Sequence, residues 1–202
     1  MIGHRAAVAD VAFVHGLPVV GPLAAWVQCG ALLGLDELVA VGDALAGRWS
    51  PWPAAREQPV DELAHVVQGW GSRRGAGRLR EALGLVRANV WSPKETELRL
   101  VIVRGGLPEP PWLNRQAGDA RGTLLGTPDL AYPEALVAIE YEGDGHRTDR
   151  RQWRRDLAKY ERFADAGWRV IRVTDDDLAE PCILLSRLEA LLRSRAPGGR
   201  ST

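Results

Sequence analysis

Four side chains in one short stretch, Asp129, Glu140, Glu142 and His146, have the types and spacing for hydrolytic chemistry. The run Leu136 to Glu142 alternates as a β-strand does. Val137, Ile139 and Tyr141 point one way, and Ala138, Glu140 and Glu142 point the other. A strand this apolar belongs near the middle of a sheet, where a carboxylate must be neutralised, solvated in a cleft or bound to a metal. Pro133-Glu134-Ala135 reads as a hairpin turn that brings Asp129 alongside Glu140. Converging carboxylates suit a hard divalent cation such as Mg²⁺ or Mn²⁺, which takes oxygen ligands and uses one or two carboxylates. Such an ion polarises a phosphoryl group and lowers the pKa of water. The Gly143-Asp144-Gly145 turn delivers His146 beside the acids, where an imidazole could orient or deprotonate a water, or protonate a leaving oxygen. A solvated strand face on an edge hairpin competes with this reading.

The elements around this stretch must position it. Ser92, Pro93 and Glu95 spell a capping box that starts a helix running to Arg104, so Glu95 is either a capping acid or a third ligand. Leu113 to Gln116 and Thr123 to Leu130 are expected as the first hairpin. A helix follows from about Thr148 to Asp165, with Trp153, Leu157, Tyr160 and Ala164 as its buried stripe. Arg150, Arg151, Arg154, Arg155 and Arg162 flank that stripe, and Arg147 precedes it. Such a row is either a solvated face or a set of phosphate contacts. Trp168 to Val173 reads as an interior strand and Cys182 to Arg193 as the last helix.

Pro128-Asp129 followed by Glu140-Tyr141-Glu142 resembles the PD-(D/E)xK signature of restriction-endonuclease-like proteins. The likeness is closer over Ser92-Pro93-Lys94-Glu95-Thr96-Glu97, Asp129 to Glu134, Glu140 to Gly143, His146 and Ala166 to Arg172. This text is similar to that of nuclease-like domains related to very-short-patch-repair endonucleases, often fused to an abortive-infection antitoxin region. The resemblance covers roughly Ser92 to Arg195. It implies a Mg²⁺-dependent or Mn²⁺-dependent deoxyribonuclease with Asp129, Glu140 and Glu95 on the metal and DNA along the basic helix. Glu142 stands where the signature has lysine.

The chain has 202 residues and zero formal net charge, so no global field recruits nucleic acid and any such binding needs a local patch. Only Lys94 and Lys159 are lysines, a bias read as codon composition. Arg73, Arg74, Arg78 and Arg80 form a second basic group. Cys29 and Cys182, without CxxC spacing, read as buried thiols in a reducing, cytoplasmic setting. Val8 to Leu35 is the most apolar region, but Asp10, His15, Pro18 and Pro22 interrupt it, so no membrane span is expected. It reads as a strand from Val8 to Val14, a Gly16-Leu17-Pro18 turn and a helix from Pro22 to Leu33. Helices are expected from caps at Asp36 and Asp61, and from Gly75 to Arg87.

The expectation is an α/β protein. Residues 1–90 form a mainly helical region similar to the antitoxin linker, residues 91–195 a nuclease-like mixed sheet flanked by helices, and residues 196–202 a disordered tail. A catalytically silent DNA-binding or regulatory module of a toxin-antitoxin or phage-defence system is the alternative. A protein partner docking on the N-terminal region near Trp49 and Trp52 is a third.

Overall fold

The computed structural model describes residues 11–48, 50, 56–143 and 150–195, without the side chains of residues 12 and 150–155. The protein is mixed α/β and divides into two compact units, Met1–Pro93 and Lys94–Thr202. No helix among the described residues is long and apolar enough to cross a membrane.

The first unit opens on an antiparallel hairpin, β1 (Val11–Val14) and β2 (Leu17–Val20). Its turn is His15-Gly16, both with positive φ, which is the backbone a two-residue hairpin turn needs. Leu17 and Pro18 therefore lie in the second strand and not in the turn. Four helices follow: α1 (Pro22–Cys29), α2 (Leu35–Ala46), α3 (Val60–Trp70) and α4 (Ala76–Leu85). The caps before α2 and α3 are Gly34 and Pro59, so Asp36 and Asp61 fall inside the first turn, where their charge favours the helix dipole. Trp26, Leu38, Leu63 and Leu79 are buried at the centre. The fully buried Asp43 accepts the backbone N–H of Arg87 at 2.6 Å, tying α2 to the end of α4. Trp49 and Trp52 lie outside the described residues.

The second unit is built on a four-stranded mixed sheet in the order β3-β6-β7-β8. Its strands are β3 (Trp112–Leu113), β6 (Leu130–Tyr132), β7 (Val137–Tyr141) and β8 (Arg169–Val173). β6 runs antiparallel to both of its neighbours, β3 and β7, and β7 and β8 run parallel. A parallel neighbour requires a crossover, supplied here by α6 (Arg150–Asp165). One face of the sheet, with Leu130, Val137, Ile139, Ile171 and Val173, packs on α5 (Pro93–Arg104), α7 (Asp175–Ala179) and α8 (Cys182–Arg195). The other carries Ala131, Ala138 and Trp168 against Phe163 of α6. Each fully buried aliphatic side chain contributes about 1.5–3 kcal/mol.

Several local expectations change. A small separate sheet, β4 (Ala117–Gly118) with β5 (Leu124–Gly126), forms where one hairpin from Leu113 to Leu130 is expected. Leu113 instead pairs with Leu130 in the main sheet. Among the described side chains of α6 the buried one is Phe163, while Tyr160 is half-buried, Leu157 and Ala164 are exposed and Trp153 is not among them. Cys182 is exposed and Cys29 half-buried, so neither is a buried thiol. The tail from 196 onward lies outside the described residues.

Candidate functional site

Asp129 immediately precedes β6, and Glu140 is in β7. The register that pairs Leu130 with Ile139 sets these two acids side by side on adjacent strands. Asp129 Oδ2 accepts the backbone N–H of Tyr141 at 2.7 Å, which anchors its carboxylate at this end of β7. Both groups are largely removed from water. Burial, then the charge of Glu140, raises the pKa of Asp129 to about 7. Burial also raises the pKa of Glu140, opposed chiefly by Lys159.

Lys159, unremarked as a site residue in the sequence, reaches this pair from α6. Its Nζ lies 2.5 Å from Glu140 Oε1 and donates to the Thr127 carbonyl at 3.0 Å. This close contact pairs the ammonium with Glu140 and opposes the rise in its pKa. Gly126, at the end of β5, lets α6 approach closely: its φ is +154°, and a Cβ there would stand 3.0 Å from Lys159 Cε and 3.2 Å from the Phe163 ring.

Glu142, just after β7, is held by two groups. Arg172 pairs with both of its oxygens, and the Tyr160 hydroxyl donates to Oε1 at 2.9 Å. The Arg172 guanidinium also sits 5.5 Å from the Tyr160 ring centroid. An acid occupied in this way is a poor base and a good anchor for an arginine. Lys94, the second lysine, pairs with Glu97 at 2.9 Å and Asp175 at 2.7 Å beside Tyr141. Both lysines of the chain are thus charge partners in the second unit.

Glu95 lies in the first turn of α5 and is buried. Asn114 donates its side-chain amide to Glu95 Oε2 at 2.5 Å and its backbone N–H to the Asp129 carbonyl at 2.8 Å. Asn114 has φ +47°, a conformation asparagine tolerates better than most residues, and it links the helix acid to the strand acid. His146 and Arg147 lie outside the described residues, as do the side chains of Arg150, Arg151, Arg154 and Arg155. Among the described residues no group of three or more His, Cys, Asp or Glu side chains is arranged to hold a metal. The signal that could have pointed to Lys159 was its rarity: an arginine-rich chain keeps one lysine on the helix that faces Glu140.

No family model matches the chain, and no solved structure does. Two uncharacterised proteins from two strains of Mycobacterium tuberculosis are each 30% identical to it over 139 residues, covering 68% of this chain and 51% of the relative. The chain therefore spans about half the length of the curated relatives it matches.

Proposed function

We propose that the second unit is a metal-dependent DNA endonuclease of the restriction-endonuclease-like type, hydrolysing phosphodiester bonds in DNA repair or defence. One observation carries the reading: Asp129 and Glu140 are neighbours on adjacent strands, largely buried, and both have raised pKa values. Perturbed paired carboxylates are what active sites maintain at a cost in stability. The order of elements, a helix, antiparallel strands, a crossover helix and a parallel strand, is compatible with the fold that the resemblance implies.

The acids suit a Mg²⁺ or Mn²⁺ ion in number and type. Two oxygen donors are the usual protein share for Mg²⁺, and Glu140 Oε1 is buried and already faces a cation, the Lys159 ammonium. Asp129 and Glu140 would hold the ion, which would supply Lewis acidity and neutralise charge on the phosphate. Lys159 holds a positive charge beside Glu140, where it would offset the negative charge that builds up on a reacting phosphate. Glu142 and Tyr160 orient Arg172. Glu95 and Asn114 fix the backbone that carries Asp129. His146 is assigned proton transfer on the sequence pattern alone.

A second reading has its own support. Lys159 already neutralises Glu140, as an internal cation would in a catalytically silent DNA-binding module. Cleavage of supercoiled and single-stranded DNA with Mg²⁺, Mn²⁺ or EDTA separates the two when run beside Asp129→Asn. Metal-dependent cutting that disappears in the variant supports the nuclease. Folded wild-type protein that binds DNA but neither cuts nor binds metal supports the silent module.

A further inference from the structure

The turn between α3 and α4 concentrates positive charge that the carboxylate site does not use. From Gly69 to Arg87 the chain has five arginines and one acid, Glu81, in a protein of zero net charge. Arg73, Arg74, Arg78 and Arg80 are all exposed. Some basic side chains elsewhere are matched by carboxylates, as Arg48 is by Glu57 and Arg193 by Glu189, while others, such as Arg195, bond main-chain carbonyls. Among the described residues, none of these four has a carboxylate partner.

Main-chain carbonyls hold three of them instead. Arg73 Nη1 donates to the carbonyls of Gly69 at 3.0 Å and Trp70 at 2.9 Å, with its guanidinium 5.2 Å from the Trp70 ring centroid. Arg78 donates to the Leu33 carbonyl at 2.7 Å and Arg80 to that of Gly71 at 3.1 Å. A guanidinium has five N–H donors, so these bonds orient each group and leave most of its donors available. Arg74 has no side-chain partner among the described residues. The turn beneath them has little freedom: Gly75 has φ +86°, and a Cβ there would lie 2.3 Å from the Gly30 carbonyl carbon. At Gly69, Gly71 and Gly77 an added Cβ would meet nothing, so the backbone between the arginines stands bare. Gly69 and Gly77, exposed inside α3 and α4, cost about 1 kcal/mol each relative to alanine, and packing does not require them.

We infer that this turn binds the phosphodiester backbone of duplex DNA. Arginine forks match phosphate oxygens two at a time, and bare backbone admits a phosphate closely. The exposed residues around the arginines are Gln68, Ser72, Glu81 and glycines, with Trp70 half-buried under Arg73, so the patch is polar apart from one ring. This site is separate in the chain from Asp129 and Glu140, and it stands whether or not they support cleavage.

The test is binding of a short labelled duplex to the full chain in EDTA, by fluorescence anisotropy across a range of KCl. Each phosphate contact contributes about 0.9 to the slope of log K against log salt. Arg74→Gln should lower that slope by about 1, and Arg74→Gln with Arg78→Gln by about 2, with several-fold weaker binding at low salt. Arg74→Gln removes no side-chain contact among the described residues and remains decisive if the double variant fails to fold. Wild-type affinity and slope in Arg74→Gln would overturn the inference. So would the absence of duplex binding, or binding of polyglutamate as tight as that of the duplex. A chain that cuts DNA but is unaffected by Arg74→Gln loses this site and keeps the nuclease. One that binds through Arg74 but never cuts keeps this site and loses the nuclease.

Discussion

At the scale of residues, the pair Asp129 and Glu140 makes stability depend on pH in a defined direction. The folded pKa of Asp129, about 7, lies above its ordinary value of 3.8, so the protonated form favours the fold. That stabilisation is complete below about pH 4 and is lost as pH rises through 7. Asp129→Asn keeps an acceptor for the Tyr141 N–H and removes the ionisation. It should raise the melting temperature at pH 8, through a stabilisation on the order of 4 kcal/mol at most, and by less at pH 5. A thermal melt at the two pH values checks this, and a variant less stable than wild type at pH 8 would contradict it. Lys159→Met should act in the opposite sense. It leaves Glu140 without its cation, a loss below the about 3–5 kcal/mol of a fully buried pair because both side chains keep some contact with water. Because the charge of Lys159 lowers the pKa of Glu140, its removal drives that pKa further up, and the loss should shrink as pH falls.

At the scale of elements, the site depends on how α6 rests on the sheet. Phe163 fills the space between the sheet and the β4–β5 ribbon, and it meets Trp168 edge-on at a centroid distance of 5.6 Å. Phe163→Ala should cost about 3–5 kcal/mol in denaturant unfolding. Gly126→Ala would force a rare positive φ on alanine and press its Cβ toward Lys159. It should lower stability and also change any activity that needs Lys159, so urea melts and cleavage assays on the same preparation test both. Normal stability with normal cleavage would show that the close fit around Gly126 is unimportant. The helix from Pro93 to Arg104 and the strand at Val137 to Tyr141 were legible because a cap and a strict alternation are local signals. The buried side of α6 departs from the expected stripe of Trp153, Leu157, Tyr160 and Ala164: Phe163 is buried and Lys159 meets Glu140, while Leu157 and Ala164 are exposed.

At the scale of the whole molecule, a formal net charge of zero removes the repulsion that keeps proteins apart. The solubility of the chain should pass through a minimum near pH 7, measurable as protein left in solution across a pH series at low salt. A minimum displaced far from neutrality would mean that ionisations inside the fold, such as that of Asp129, shift the balance of charge appreciably. The same neutrality makes local charge decisive. The acids gather at Asp129 and Glu140 in one unit, and four unmatched arginines gather at the α3–α4 turn in the other.

The amino-acid sequence by itself determined which residues could form strands and helices, and that Asp129 would stand beside Glu140. Alternation, a turn at Pro133 and the apolar faces of β7 allow one register, since a slip by one residue would bury the wrong side. The tertiary structure alone decided what each acid meets. Lys159 is nineteen positions from Glu140, Arg172 is thirty from Glu142 and Asn114 is nineteen from Glu95. Those pairings follow from the packing of α6, the register of β8 and the positive φ at Asn114. Periodicity records which side of an element faces the core, but a charge finds its partner only after the elements have been packed.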